Sequence, residues 1–381
     1  MDIPVPHLIH QINDPADIPP DDIRDGLLRL LALPASHTRD VMLGSLLTGL
    51  LLRGPRIDEV EAAVRTATLL DRDTWEFHRP PEGLRFVGYT GSGKKTFKTI
   101  NLSSAAALVA ATAGAHIAKL GSRSASSRTG SRDFTDLVGA TCGEVPTDEM
   151  VGIAAECGFG FFSIEDRVPE FDRRYGGRFQ SVHALSLAFP ALLSPVTCSS
   201  YVYGLAHPAT GVSARLLDRF ELPDVTVVNS RSLTGLRVDE LLPGTKVQVS
   251  RMRTGREDRQ LAGDVRDAAA ALPHGLSAVA QHTTPAANVA AVVHLLAGRG
   301  TRAARAAVAL NAALLLRSAD VAPSFHSCLA TALEVLDTDG ALDTLRRFVR
   351  LTGGTSRALD SLLADHPLPH PASLRKEKTA C

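Results

Sequence analysis

A strand that runs straight into a glycine-rich turn and then a helix leaves a chain few folds to choose from. Residues 84–87, apolar but for Arg85, lead into Gly88-Tyr89-Thr90-Gly91-Ser92-Gly93-Lys94-Lys95-Thr96. An alanine-rich helix follows over 103–113, and 116–119 reads as a second strand entering a loop of small residues, 121–131. Strand, glycine loop, helix and strand in that order predict an α/β fold with ligand loops at strand ends. Such a turn offers unpaired backbone N–H groups to an anion, and the helix dipole adds to the attraction. Lys94, Lys95 and Lys98 put ammonium groups beside it; with Lys119 they are four of the chain's seven lysines. Gly88 to Lys94 matches the spacing of a nucleotide P-loop, but Lys95 stands where the magnesium-binding hydroxyl belongs. No acidic strand end follows, which argues against an ATPase.

Further strands are predicted at 159–164, 225–228 and 245–250, and apolar helices at 289–296, 303–316 and 325–335. Before the glycine loop, three short helices read over 23–31, 41–52 and 57–70, closed by Pro34 and by Gly54-Pro55. The expected organisation is a helical domain over 1–75, with helices from 170–195 as candidates to join it. An α/β domain over 80–350 and a flexible tail over 352–381 complete it. The three N-terminal helices are a candidate surface for a homodimer. Lys+Arg and Asp+Glu balance at 41 each, which excludes a protein acting mainly as a polycation on nucleic acid or a membrane. Five scattered cysteines without a CxxC pair suit a reducing cytoplasm. The N-terminus lacks a basic start and an apolar stretch, and the run 105–115 falls short of the roughly 20 apolar residues of a membrane span. A soluble cytoplasmic protein is the expectation.

Several segments, taken in order, resemble the anthranilate phosphoribosyltransferase family: Gly88 to Gly93 followed by Thr96-Phe97, then Asn101-Leu102-Ser103-Ser104, Lys119-Leu120-Gly121-Ser122-Arg123, and Ser126-Ser127-Arg128-Thr129-Gly130-Ser131-Arg132-Asp133. They are similar to that family's GTGGD…TFNIST, KHGNR and SS-x-SG-x-x-D motifs, and the likeness extends over most of residues 20–350. The resemblance implies a small helical domain and a larger α/β domain with a central, mainly parallel sheet, of the nucleoside phosphorylase/phosphoribosyltransferase type. It also implies a cleft for 5-phosphoribosyl-1-diphosphate (PRPP) and magnesium. The PRPP-binding candidates are Gly88, Gly91, Gly93, Lys94, Thr96, Asn101, Ser103, Ser104, Lys119, Arg123, Ser127 and Ser131. Ser103 and the pair Asp239-Glu240 match the family's magnesium ligands, and hard oxygen donors suit that ion. Loss of diphosphate from an anomeric carbon needs donors and cations around the leaving group, which these residue types supply.

The pattern breaks on the acceptor side. The aspartate of GTGGD becomes Ser92, with about three residues inserted before Asn101. KHGNR loses its His and Asn to Leu120 and Ser122, the HPA segment is missing, and Arg178 is the nearest candidate for the anthranilate-binding arginine. Glu165, Asp166, Glu170 and Asp172 gather in that region. Four carboxylates favour a cationic acceptor by charge complementarity, unless Arg167, Arg173 and Arg174 neutralise them in surface ion pairs. The acceptor expected on this reading is an aminoglycoside such as neamine, phosphoribosylated in antibiotic biosynthesis. Glu165, Asp166 and His183 are then the candidate catalytic bases, by location. Anthranilate transfer for tryptophan synthesis, nucleoside phosphorolysis, and a non-catalytic relic of the fold remain alternatives.

Overall fold

A computed structural model describes residues 5–14, 16–124, 127–175 and 178–366. An eight-stranded sheet carries the fold: β1 (Phe86–Gly91), β2 (His116–Gly121), β3 (Phe159–Ser163), β4 (Ser200–Gly204), β5 (Asp224–Arg231), β6 (Arg237–Val238), β7 (Lys246–Arg253) and β8 (Arg256–Asp258). The order is β3-β2-β1-β4-β5-β7-β8, with β6 paired to β5. The first five strands run parallel, while β7, β8 and β6 join antiparallel. Parallel strands buried on both faces read as continuous apolar runs, as in the buried Phe86, Val87, Ile117, Ala118 and Phe159.

The chain leaves β1 towards β2 on one side and later returns to β4 on the other, so a crevice opens at the carboxyl ends of β1 and β4. The helix Leu102–Thr112 starts from that crevice. It is almost entirely Ala, Leu and Val and is buried nearly throughout. Such a helix suits the interior between other elements, and it packs on the largely buried helix Arg302–Ser318. Asn311 of the latter accepts from Leu241 N at 2.9 Å and donates to Leu241 O at 2.8 Å. That clamp fixes the backbone just after Asp239-Glu240.

The helices Pro20–Ala32, His37–Leu52 and Ile57–Thr68 pack together through Leu27, Leu30, Leu46, Leu50, Val60 and Val64. Ser36 caps the second by accepting from Arg39 N. The short segments Ala184–Leu187 and Phe189–Leu192 lie against Ile57–Thr68. Among the described residues no helix is long and apolar enough to cross a membrane.

Three sequence expectations need correction. Strand β4, central in the sheet, is absent from the predicted strands. The strand expected to 164 stops at Ser163, whose hydroxyl accepts from Asp166 N and turns the chain into the helix Ile164–Arg167. The tail expected to fray from 352 instead forms the helix Arg357–Asp365, which buries Leu359 and Leu362; residues 367–381 lie outside the described residues.

Candidate active site

The glycine loop after β1 is shaped around Asp239. Gly93 takes a φ of +66°, and its N–H donates to Asp239 Oδ2 at 2.7 Å. Ser92 Oγ donates to the same oxygen at 3.4 Å. A Cβ on Gly91 would fall 2.8 Å from it, so only glycine lets the carboxylate so close to the loop. Asp239 and Glu240 are both buried, and Asp239 Oδ1 and Glu240 Oε2 have no hydrogen-bond partner. Lys95 Nζ lies 2.6 Å from Glu240 Oε1, 2.6 Å from Thr99 Oγ1 and 3.7 Å from Asp239 Oδ1. Burial pushes the Glu240 carboxyl up to about 7; the Lys95 ammonium opposes that shift and the Asp239 charge reinforces it.

Lys119 follows from β2, whose end faces the same cleft. Its side chain is buried, Nζ donates to Leu120 O at 2.8 Å, and it sits 5.1 Å from the centre of the Tyr89 ring. Burial lowers its ammonium to about 8, although Asp239 and Glu240 favour the charged form. The small-residue loop after β2 is held from below. Asn101 donates to Gly130 O at 3.0 Å and accepts from Thr129 Oγ1 at 2.8 Å. Asn288 donates to Thr129 Oγ1 at 3.1 Å, and Gln281 Oε1 accepts from Arg128 N at 3.0 Å. Together these loops line an open cleft whose walls include Lys94, Lys95, Ser103, Lys119, Arg123, Ser127, Ser131, Asp239 and Glu240. Oxyanions are matched there by ammonium groups, hydroxyls and backbone N–H groups.

A second lobe adjoins the first and shares residues 91–94, Ser122, Ile164 and Phe179 with it. Its walls are of another kind: Val168, Phe171, Tyr175, Leu185, Phe189, Pro190 and Leu193. Of the residues lining it, only Lys94 carries an ammonium and only Asp172 a carboxylate. Lys94 Nζ is 2.7 Å from His183 Nε2 and 3.3 Å from Ser186 Oγ, and 5.7 Å from the centre of the Phe179 ring. Burial lowers Lys94 to about 8. Burial, and then the Lys94 charge, holds His183 well below the ordinary imidazole value. A neutral imidazole facing an ammonium accepts at Nε2 and therefore carries its hydrogen on Nδ1, a tautomer assigned from the contact. Asp172 is raised, first by burial and then by the charge of Glu165.

A model of the glycosyl transferase family's a/b domain matches residues 84–342, well over half of the chain. The chain belongs to this family. An anthranilate phosphoribosyltransferase of Burkholderia mallei is 29% identical over 337 residues, covering 86% of this chain and 93% of the relative. The crystal structure of anthranilate phosphoribosyltransferase from Thermus thermophilus superposes with a TM-score of 0.71 at 26% identity, covering 93% of this chain and 100% of that one. The Saccharomyces cerevisiae enzyme in complex with PRPP and Mg shares the fold, with a TM-score of 0.68 at 18% identity, over 92% of this chain and 98% of that one.

In this glycosyl transferase, most of the donor-side candidates converge and three do not. Gly91, Gly93, Lys94, Asn101, Ser103, Lys119, Arg123, Ser127 and Ser131 line the polar lobe with Asp239 and Glu240; Ser126 lies outside the described residues. Gly88 is inside β1, where a Cβ would come within 2.6 Å of the Tyr201 ring, so it serves sheet packing. Thr96 clasps the loop to β6, accepting from Arg237 N at 2.6 Å. Ser104 is buried within its helix and does not reach the cleft.

The acidic cluster does not converge on one pocket. Glu165 accepts from Arg123 N at 2.5 Å and from Ser163 Oγ at 2.9 Å. Asp166 pairs with Arg132 at 3.0 Å and faces a separate cleft. Glu170 is held by Arg173 and Arg174, whose hydrogen bonds lower its carboxyl to about 2. Arg178 pairs with Asp40 at 2.8 Å, away from both lobes. Asp172 alone of the four carboxylates enters the apolar lobe, and His183 enters it as the partner of Lys94. The residues that sequence reasoning missed are the lobe's aromatic wall, Phe171, Tyr175, Phe179 and Phe189, and the contact of Lys95 with Glu240. Apolar residues at 171, 175 and 179 recur at helical spacing, a signal that was present.

Proposed function

We propose that the protein is a magnesium- and PRPP-dependent phosphoribosyltransferase whose acceptor is an aromatic amine bearing an anionic group, of the anthranilate kind. The observation that carries this reading is the two-lobed cleft: a lysine- and hydroxyl-lined lobe joined at residues 91–94 to an aromatic lobe with one lysine. The named relatives are anthranilate phosphoribosyltransferases, which supports the same assignment. The engagement of Glu165, Asp166 and Glu170 by partners of their own removes the support for an aminoglycoside acceptor.

In this reaction the acceptor nitrogen bonds to the anomeric carbon as the bond to diphosphate breaks. The nitrogen must shed a proton, and the departing diphosphate gathers negative charge. Lys119 and the hydroxyls of Ser127 and Ser131 receive the diphosphate, stabilising charge as it develops. The free oxygens Asp239 Oδ1 and Glu240 Oε2, with Ser103 in the same cleft, fit a hard cation. Magnesium bound there with the diphosphate would neutralise the leaving group. In the aromatic lobe Phe171 and Phe179 hold the ring, Lys94 faces its anionic substituent, and Asp172, its affinity for a proton raised by burial, takes the proton from the amine. Apolar walls exclude water that would otherwise hydrolyse the sugar cation. Val41 and Leu52, exposed on the helix His37–Leu52, support pairing of two copies through the N-terminal helices.

The test is incubation with PRPP, magnesium and a panel holding anthranilate, other aromatic amines and neamine, read by mass. A phosphoribosyl increment on anthranilate or a related aromatic amine is expected. An increment on neamine alone would overturn the acceptor assignment, and the absence of PRPP consumption with every acceptor would overturn the whole reading.

A further inference from the structure

The carboxylate pair Asp239-Glu240 already holds a cation that belongs to the chain. Lys95 Nζ has three oxygens around it, Glu240 Oε1 and Thr99 Oγ1 at 2.6 Å and Asp239 Oδ1 at 3.7 Å. An ammonium has three donors and no acceptor, so this surrounding suits it. The side chains are 12% exposed for Lys95 and 5–6% for the two acids, and buried charges persist where they are paired. The loop is built to make the pairing: Gly93 and Ser92 tie down Asp239 Oδ2 and leave Oδ1 turned towards Lys95. Among the described residues no group of three or more His, Cys, Asp or Glu side chains is placed to hold a metal ion.

We infer that Lys95 is the resident cation of the Asp239-Glu240 pair, so that the free protein has no divalent-metal site of its own and the metal enters only as part of a metal–diphosphate complex. This rests on the phosphoribosyl-transfer reading for the identity of the diphosphate, though not for the occupancy of the pair. An ammonium and a divalent ion between the same two carboxylates repel each other, and either neutralises most of the charge that would attract the other. Diphosphate oxygens change that balance by bringing negative charge of their own.

Manganese stands in for magnesium, and its unbound fraction is counted by electron paramagnetic resonance on the full chain without PRPP. Wild type is expected to retain no manganese at about 100 μM. Lys95→Ala is expected to gain one site, tightening manganese binding at least about tenfold, and Lys95→Ala with Asp239→Asn to lose it again. Lys95→Arg, which keeps the charge, should stay as empty as wild type, and circular dichroism establishes that each variant is folded. Adding inorganic diphosphate with manganese should make wild type retain the metal. Manganese held by the free wild type and released by Asp239→Asn would overturn the inference, as would a folded Lys95→Ala that gains no site. Failure of PRPP to bind at all would instead overturn the phosphoribosyl-transfer reading and leave the manganese count standing.

Discussion

The two lobes of the cleft share a wall at residues 91–94 yet are built in opposite ways. The polar lobe is made from loops that leave the carboxyl ends of adjacent parallel strands, and the sheet beneath dictates where each loop starts. The aromatic lobe is made mostly from short helices and turns between residues 164 and 193, of which Phe189–Leu192 packs on β1. Charge placed by a rigid sheet suits a substrate that must be held against developing charge. An apolar wall of side chains on short segments suits an acceptor recognised by shape, where substitutions change preference without disturbing the sheet.

This division predicts substitutions that separate the two substrates. Lys119→Ala should give the largest effect, lowering kcat/KM for PRPP by about 100- to 1,000-fold with little change in the acceptor KM; unchanged steady-state kinetics would mean the diphosphate lies elsewhere. Asp172→Asn should reduce kcat by about a hundredfold and leave the KM for PRPP near its wild-type value. Rate constants from rapid quench that stay unchanged would exclude Asp172 as the proton acceptor.

A smaller effect should come from pH. Lys119 and Lys94 are lowered by burial to about 8 in the free protein, so their ammonium groups are lost as pH rises through that value. PRPP affinity measured by calorimetry should weaken between pH 7 and pH 9 by about tenfold. The unfolded chain holds these protons up to the ordinary lysine value, so it binds more protons than the folded one between about 8 and 10.5. The contribution of these two groups to stability therefore rises with pH across that window. The smallest effect belongs to Asp166→Asn and Glu170→Gln, whose partners are arginines at the surface. Acceptor KM should move by less than about twofold, whereas the cationic-acceptor reading requires a large rise.

The same contrast explains what could be read from the sequence. The glycine loop, Lys119 and Asp239-Glu240 were legible as candidates because each is contiguous and chemically marked; the parallel strands β1 and β2 bring the first two together, and the antiparallel β6 leads into the pair. Proximity along the chain misled at Gly88, Thr96 and Ser104, which belong to the same motifs as lining residues but serve the packing of the sheet, the link to β6 and the helix interior. Strand β4, Ser200-Tyr201-Val202-Tyr203-Gly204, carries the aromatic and β-branched residues of a strand, yet its neighbourhood reads as a loop motif. The four carboxylates were grouped because they are near in sequence, while helical turns send them in separate directions. Glu170 with Arg173 and Arg174 at i+3 and i+4 is the pairing that helix geometry favours, and it marks a surface face. The Lys95 contact spans 145 residues of chain, and no local pattern announces it.

The most direct test of the two-lobed cleft is the pair of Michaelis constants for PRPP and the aromatic acceptor, measured in Lys119→Ala and in Phe171→Ala, since Phe171 lines the aromatic lobe and not the polar one. A rise in the PRPP constant alone for the first variant and in the acceptor constant alone, about tenfold, for the second is the predicted result. Phe171→Ala raising both constants equally would contradict it, because the two substrates would then share one site.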